Sequence, residues 1–289
     1  MANFDLHFHS TYSDGKLSVS ELATIIEQKK VKYCALVDHN TVDGVQELIE
    51  YFNDSQVKVI PGVELTAKYN DNDVHILAYD FDISLVAKVL KERNEIVRCK
   101  KNEEMMEAIK LLRQAGLYVS ADLVPTDKQP VTLTLALDIC ANSFNQNIFL
   151  KKHGKLFKPE DVYYEFQAPG LPCAVERSGV TVEWLVQKLK YVASDLIIAH
   201  PFISVSVVTR SLVEAEIYDL LKIGLTGIEV YHNNTSNEQI KQLKIIVQEQ
   251  GIHYNGGSDF HGNPTDTPLG EYGHDNILPD FHLANYKFY

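Results

Sequence analysis

The sequence predicts an α/β protein, a barrel-like domain of alternating strands and helices interrupted by a mostly helical insertion. Three observations carry this reading. Short strand-like runs alternate with helical stretches up to about residue 81 and again from about residue 184, which argues for parallel βαβ units. Between Asp82 and Glu183 that rhythm gives way to long, charged helical stretches. Each predicted strand of the barrel part also carries or ends in histidine, aspartate or glutamate, where a β/α barrel places its chemistry. The predicted parts are 1–81, the insertion 82–183, and 184–289.

Phe4–His9 reads as the first strand, with His7 and His9 two residues apart and therefore on one face. Val19–Lys30 is an amphipathic helix, opened by Ser18 with Glu21 three residues on, the pattern of a capping box. A strand over Tyr33–Val37, a helix after Thr41, and strands over Val57–Val63 and Val74–Tyr79 follow. Leu85–Gly116 is a long helix with Gly116 as its terminator, and Val131–Asn142 a second one. Lys151–Pro172 shows no clear period. The βα rhythm then returns: helix Val182–Tyr191, strand Asp195–Ala199, helix Leu212–Ile223, strand Gly227–Tyr231, helix Glu238–Gln250 and strand Ile252–Asn255.

Composition excludes several classes. With 289 residues there is chain enough for a full core without disulfides. No apolar run reaches the length of a membrane span, and MANFDLHFHS lacks the basic and apolar regions of a secretory signal. The 27 Lys+Arg against 39 Asp+Glu give a formal charge of −12, which argues against a duplex-binding protein. Cys34, Cys99, Cys140 and Cys173 are scattered, with no Cys-x-x-Cys pair. They read as reduced, mostly buried thiols of a cytoplasmic protein.

The histidines carry the chemistry. The strand ends supply His7 and His9, with Asp14 in the following loop; then Asp38-His39; then Glu64 after Pro61-Gly62. His75 lies in the next strand, His200 precedes Pro201, His232 follows Tyr231, and Gly256-Gly257-Ser258 leads to Asp259 and His261. Singly, each has an ordinary explanation as a core histidine or a turn aspartate. Jointly, burying six histidines, two aspartates and a glutamate at strand ends without a metal would cost on the order of several kcal/mol. Imidazole with carboxylate and no thiolate suits Zn, Mn or Fe in an open site, and nine donors suit two to three divalent ions. Such clusters serve hydrolysis of phosphate esters.

In these segments the chain resembles the polymerase and histidinol phosphatase (PHP) family. They are His7-Phe8-His9-Ser10 with Asp14-Gly15, Asp38-His39, Gly62-Val63-Glu64, His75-Ile76-Leu77, Ala199-His200-Pro201, Gly227-Ile228-Glu229-Val230-Tyr231 and Gly257-Ser258-Asp259-Phe260-His261-Gly262. The resemblance implies a distorted (β/α)7, TIM-like barrel with a trinuclear metal site. His7, His9, Glu64 and Asp259 would hold one ion; Glu64, His75 and His200 a second; Asp14, His39 and His261 a third. Thr-Tyr-Ser-Asp14-Gly and the insertion resemble the small nucleotide-phosphoesterase branch, which acts on nucleoside 3′,5′-bisphosphates or AMP-like monophosphates, with some members trimming RNA from the 5′ end.

Two departures stand out: Asp38-His39-Asn40 where that branch has Asp-His-Asp, and Val131–Ala136 where its insertion carries Arg-Pro-His. The insertion's Arg-x-x-Arg appears as Arg98-x-x-Lys101. The expected reaction is hydrolysis of a phosphomonoester by a metal-activated hydroxide, with Arg98, Lys101 and Arg177 holding phosphate. Asp38 is expected to orient a ligand imidazole, and His232 to protonate the leaving alkoxide or contact substrate. The expected partner is a small phosphorylated nucleotide or short single-stranded RNA, with neither duplex DNA nor membrane. Histidinol-phosphate hydrolysis, 5′-to-3′ exoribonuclease action and a non-enzymatic, metal-stabilised binding role are the alternatives.

Overall fold

The computed structural model describes residues 3–70, 72–126, 129–204, 210–272, 281, 286–287 and 289. The chain divides into two compact units, Met1–Glu92 with Val180–Tyr289, and Arg93–Gly179. The first unit begins with β1 (Phe4–Phe8), α1 (Val19–Lys29), β2 (Tyr33–Leu36), α2 (Val45–Tyr51), β3 (Lys58–Val59), β4 (Gly62–Tyr69) and β5 (Asn72–Phe81). Helix α3 (Ile83–Gln114) carries the chain into the second unit, which holds α4 (Val131–Ala141), α5 (Ser143–His153), α6 (Pro159–Val162) and a π-helical turn, Tyr163–Gln167. The first unit resumes with α7 (Val182–Leu189), β6 (Ala193–Ile198), α8 (Glu214–Ile223), β7 (Gly227–His232), α9 (Asn237–Gln250) and β8 (His253–Gly257).

The described strands form a three-stranded sheet, β1-β2-β3, and a five-stranded sheet, β4-β5-β6-β7-β8. Parallel bridges join the two at Phe8–Phe260 and His39–Glu64. β1-β2-β3 and β6-β7-β8 are parallel, as the βα rhythm predicts. The exception is β4-β5-β6, whose pairs are antiparallel. β4 and β5 are joined by a tight connection in which Asn70 takes φ 52°, too short for a crossover, so the pair can only fold back on itself. The single strand expected over Val57–Val63 is two: Pro61, with no N–H to give, separates β3 from β4. β4 then runs to Tyr69 in full register with β5.

Phe8, Leu36, Val63, Leu77, Ile198 and Ile228, all on strands, are fully buried. Helix α1 has the expected capping box, Ser18 with Glu21, and α9 has another, Ser236 with Gln239. At the start of β6, buried Asp195 accepts from Thr226 Oγ1 at 2.8 Å and from the hydroxyl of Tyr286, and lies 2.5 Å from His253 Nδ1.

The second unit packs Leu112, Leu135, Ile139, Phe149 and Val162 into its own core. The stretch 151–172, without period in the sequence, holds the end of α5, the one-turn α6 and the π turn. α5 opens on Asn142, whose side chain accepts from two amides, and closes on Gly154 at φ 72°. Pieces this short give no repeat to read; they are held by packing such as the Phe149–Phe157 stack at 4.1 Å. All four cysteines are free: Cys34 and Cys173 buried, Cys140 partly so, Cys99 exposed. Among the described residues no helix is long and apolar enough to cross a membrane.

Candidate metal centre

The strand ends of the first unit bring the nine sequence-predicted donors together. His7 lies in β1 and His9 just beyond it; His39 follows β2, Glu64 lies in β4, His75 in β5, His200 beyond β6, and Asp259 and His261 beyond β8. Two glycines allow the approach. A Cβ on Gly257 would stand 2.4 Å from the His7 amide nitrogen, and one on Gly15 2.5 Å from the His9 carbonyl. Asn40, His200 and Asp259 turn their backbones at positive φ, 56°, 26° and 52°, to bend each chain off its strand.

Three groups of donors emerge: His7, His9, Glu64 and Asp259; His39, Glu64 and His75; and His9, Asp14, His39 and His261. In the first, the imidazole Nε2 atoms of His7 and His9 each lie 3.2–3.3 Å from Glu64 Oε2 and from Asp259 Oδ1. Tetrahedral donors about 2.0–2.1 Å from a shared ion stand about 3.3–3.4 Å from one another, which is the spacing observed. Among the described residues, buried His9 Nδ1 and Nε2 and His39 Nδ1 find no hydrogen-bond partner. Unpartnered imidazole nitrogens facing carboxylates fit cation ligation.

Glu64 is the hub. Its Oε2 faces His7, His9 and His39, and its Oε1 faces His75 at 2.8 Å and His200 at 3.2 Å. His9 and His39 each straddle two groups. His9 turns Nε2 to Glu64 and Nδ1 to Asp14 (4.0 Å), and His39 turns Nδ1 to Glu64 and Nε2 to Asp14 (3.8 Å). His261 completes the third group, its Nε2 3.4 Å from Asp14. That sharing was not legible from motif order, because which nitrogen points where depends on ring packing such as the His9–His261 stack at 4.2 Å.

Burial raises the Glu64 carboxyl, but His39, His7 and His75 hold it well below the carboxylate range. Asp259 is likewise raised by burial and held far down by His7, His232 and His9. Burial lowers the His9 imidazolium, while Asp259 and Glu64 lift it to about 10. His39 is pushed down to about 3 by burial, which the nearby carboxylates only partly offset. In the metal-free protein His9 therefore carries a proton at pH 7 that an ion has to displace. Metal affinity should rise with pH toward about 10 and weaken about tenfold per unit below that for each displaced proton, the His7 imidazolium being lifted above its ordinary range as well, against its burial, by Glu229, Glu64 and Asp259. Calorimetry of Mn²⁺ binding in two buffers of different ionisation enthalpy reads the proton directly; the same apparent enthalpy in both would contradict it.

Glu229 is the functional residue the sequence reading left without a role. Fully buried on β7, it lies 2.8 Å from His7 Nδ1 and accepts from the His200 amide at 2.8 Å. It thereby fixes the His7 ring with Nε2 toward Glu64 and Asp259. Its only sequence signal was its place in Gly-Ile-Glu-Val-Tyr. Replacing it by glutamine should weaken metal binding by about ten- to a hundredfold. A competitive titration checks this, and wild-type affinity would remove the role.

Asp38 corrects an expectation. It accepts from Ser10 N and Oγ at 2.8 and 2.6 Å and from Ser13 Oγ at 2.6 Å, so both oxygens are used on the loop between His9 and Asp14 and not on an imidazole. The two serines lie 28 and 25 residues away in the chain, and the neighbouring His39 ring turns instead to Glu64 and Asp14. His232, buried, places Nε2 3.2 Å from Asp259 Oδ2 and accepts the Asn234 amide at Nδ1, so its ring braces Asp259. Arg98, Lys101 and Arg177 belong to the second unit. There Arg98 pairs with Glu95 at 2.7 Å, and Lys101 donates to the Thr126 and Gln129 carbonyls. In the first unit a small cleft beside His75 and His200 is lined by Pro201, Leu212 and Arg210, whose guanidinium pairs with Glu216.

Histidines and carboxylates converging at the strand ends of an α/β unit, with no thiolate among them, are the donor set of hydrolytic metal centres. The family model of the PHP domain matches residues 5–143 of the chain. It is 26% identical over 263 residues to a 3′,5′-nucleoside bisphosphate phosphatase of Chromobacterium violaceum, covering 90% of this chain and 88% of that one. It is 23% identical to a 5′-3′ exoribonuclease of Haemophilus influenzae, covering 89% of each. The fold resembles the solved structure of a protein described as an amidohydrolase from Chromobacterium violaceum, with bound sulfate and no metal. The TM-score is 0.63 at 23% identity, covering 96% of this chain and 92% of that one.

Proposed function

We propose that this protein is a metal-dependent phosphoesterase that hydrolyses a phosphomonoester of a nucleotide, a 3′,5′-bisphosphate or an AMP-like monophosphate. The observation that carries the reading is the four-way spacing of His7, His9, Glu64 and Asp259 at 3.2–3.3 Å. In this reading His7, His9, Glu64 and Asp259 hold one ion, Glu64, His75 and His200 a second, and Asp14, His39 and His261 a third, the metals being Mn, Zn or Fe. The two bridged sheets are read as a distorted seven-stranded barrel with an inserted helical segment, which the division of the chain into two units supports. A cytoplasmic location fits the four free thiols.

Bound ions supply Lewis acidity and lower the pKa of water to about 7. The chain's own residues do the positioning. Glu229 and His232 hold His7 and Asp259 in their orientations, and Asp38 holds the loop that presents Asp14. Arg98, Lys101 and Arg177 are the cations proposed to grip substrate phosphate, a guanidinium doing so bidentately.

The similarity to a 5′-3′ exoribonuclease supports that action as the second reading, and the charge of the chain is no obstacle to it. The second unit carries twelve Lys and Arg against eleven Asp and Glu, so the acidity of the chain lies in the first unit and does not oppose an RNA strand at the second. A panel of adenosine 3′,5′-bisphosphate, AMP, histidinol phosphate and a short 5′-phosphorylated RNA, assayed after Mn²⁺ loading with a chelated control, tests both. Chelator-sensitive release led by a nucleotide is expected. Turnover led by RNA or histidinol phosphate would move the substrate assignment, and silence across the panel from metal-loaded protein would overturn the enzymatic reading.

A further inference from the structure

We infer that Asp5, which is not among the nine donors, is the positioning residue that closes the loop bearing Asp259 and His261. Asp5 is fully buried on β1, two residues before His7. Its Oδ1 accepts from Ser258 N at 3.0 Å and from His7 N at 3.2 Å, and its Oδ2 accepts from Gly270 N at 2.7 Å. Ser258 and Gly270 are the two ends of the segment that contains Asp259 and His261, so a single carboxylate holds both feet of that loop. Further bonds tie the same segment to the first strand and its loop: Asp259 N to His7 O at 2.7 Å, His9 N to Phe260 O at 2.9 Å, and Lys16 N to His261 O at 2.7 Å. Beyond the loop, the Tyr272 hydroxyl donates to Phe4 O at 2.7 Å.

The chemistry demands a carboxylate. Three amide N–H groups converge on two oxygens, and an ionised carboxyl accepts at both. An asparagine of the same shape would aim its NH₂ at one of those N–H groups whichever way the amide turned, leaving a buried donor without an acceptor. The loop foot so released is bonded next to Asp259, whose oxygens face His7, His9 and His232. Asp5 thus sets the metal-facing geometry through backbone, as outer groups set ligand geometry elsewhere.

The inference rests on reading the cluster as a metal centre, and the test separates the two. Mn²⁺ binding is measured by chelator competition on wild type, Asp5→Asn and Asp195→Asn, beside thermal melts of each metal-free protein. Asp195 is an equally buried carboxylate at the start of β6, held by Thr226 and Tyr286, and serves as the control for simple destabilisation. The expected result is that both variants melt lower, that Asp5→Asn binds at least one Mn²⁺ about ten- to a hundredfold more weakly, and that Asp195→Asn stays close to wild type. Equal affinity in Asp5→Asn and Asp195→Asn would overturn the inference and leave the metal centre standing. Wild type that takes up no Mn²⁺ would overturn both. If Asp5→Asn does not fold, Asp5→Glu takes its place, because it keeps the charge but displaces both oxygens from the amides of His7, Ser258 and Gly270: an affinity about tenfold weaker supports the inference, and wild-type affinity overturns it.

Discussion

Replacing Glu64 by glutamine should abolish metal loading and reduce phosphoester turnover by at least about 10³-fold, on the scale of losing a group that organises transition-state charge. Glu64 alone faces five imidazoles, those of His7, His9, His39, His75 and His200, at 2.8–3.3 Å. Glutamine keeps the shape and one acceptor oxygen but removes the charge, and it offers an NH₂ where a second acceptor is needed. The fold should pay as well: removing the charged partner of a buried ionic network costs about 3–5 kcal/mol. Metal content after gel filtration, read beside circular dichroism and a turnover assay, decides the point. A folded variant with full metal content and turnover within about tenfold of wild type would mean that the groups do not share this carboxylate.

Chelation should lower the melting temperature by several degrees, and Mn²⁺ or Zn²⁺ should restore it. Glu64, Glu229 and Asp259 lie together at the strand ends with His7, His9, His200 and His232, nearly all of them removed from water. Without a metal, burial of these groups is offset only by shared protons and imperfect ion pairs. An ion that binds the folded chain and not the unfolded one stabilises by about 2.7 kcal/mol at a hundredfold excess over Kd. At roughly 2 °C per kcal/mol for a chain of this size, that is about 5 °C per site. Differential scanning fluorimetry with and without chelator, at fixed pH, reads it. An unchanged transition would show that the cluster balances its charge with protons alone.

Much of the candidate site was legible before any coordinates, and the reason is local. His7 and His9 share a face because strand side chains alternate, and Asp259 and His261 follow a glycine pair that only a close approach requires. Asp38 and Glu229 show the limit. Asp38 stands beside a ligand in the sequence, yet its oxygens go to Ser10 and Ser13. Glu229 lies 222 residues from His7 and meets it only because β7 and β1 enter the same interior. The antiparallel turn of β4 onto β5 was hidden for a related reason: the alternation of apolar residues is the same whichever way a strand runs, and only the short connection at Asn70 decides direction.

The sequence by itself determined the α/β class and marked nine histidine, aspartate and glutamate side chains near strand ends as candidate donors, since residue type and period are properties of the chain. Tertiary structure decided which nitrogen faces which carboxylate, that Glu64 joins the groups, and that Asp5 and Glu229 hold the donors in place. Those are relations between atoms far apart in sequence, and only packing sets their distances.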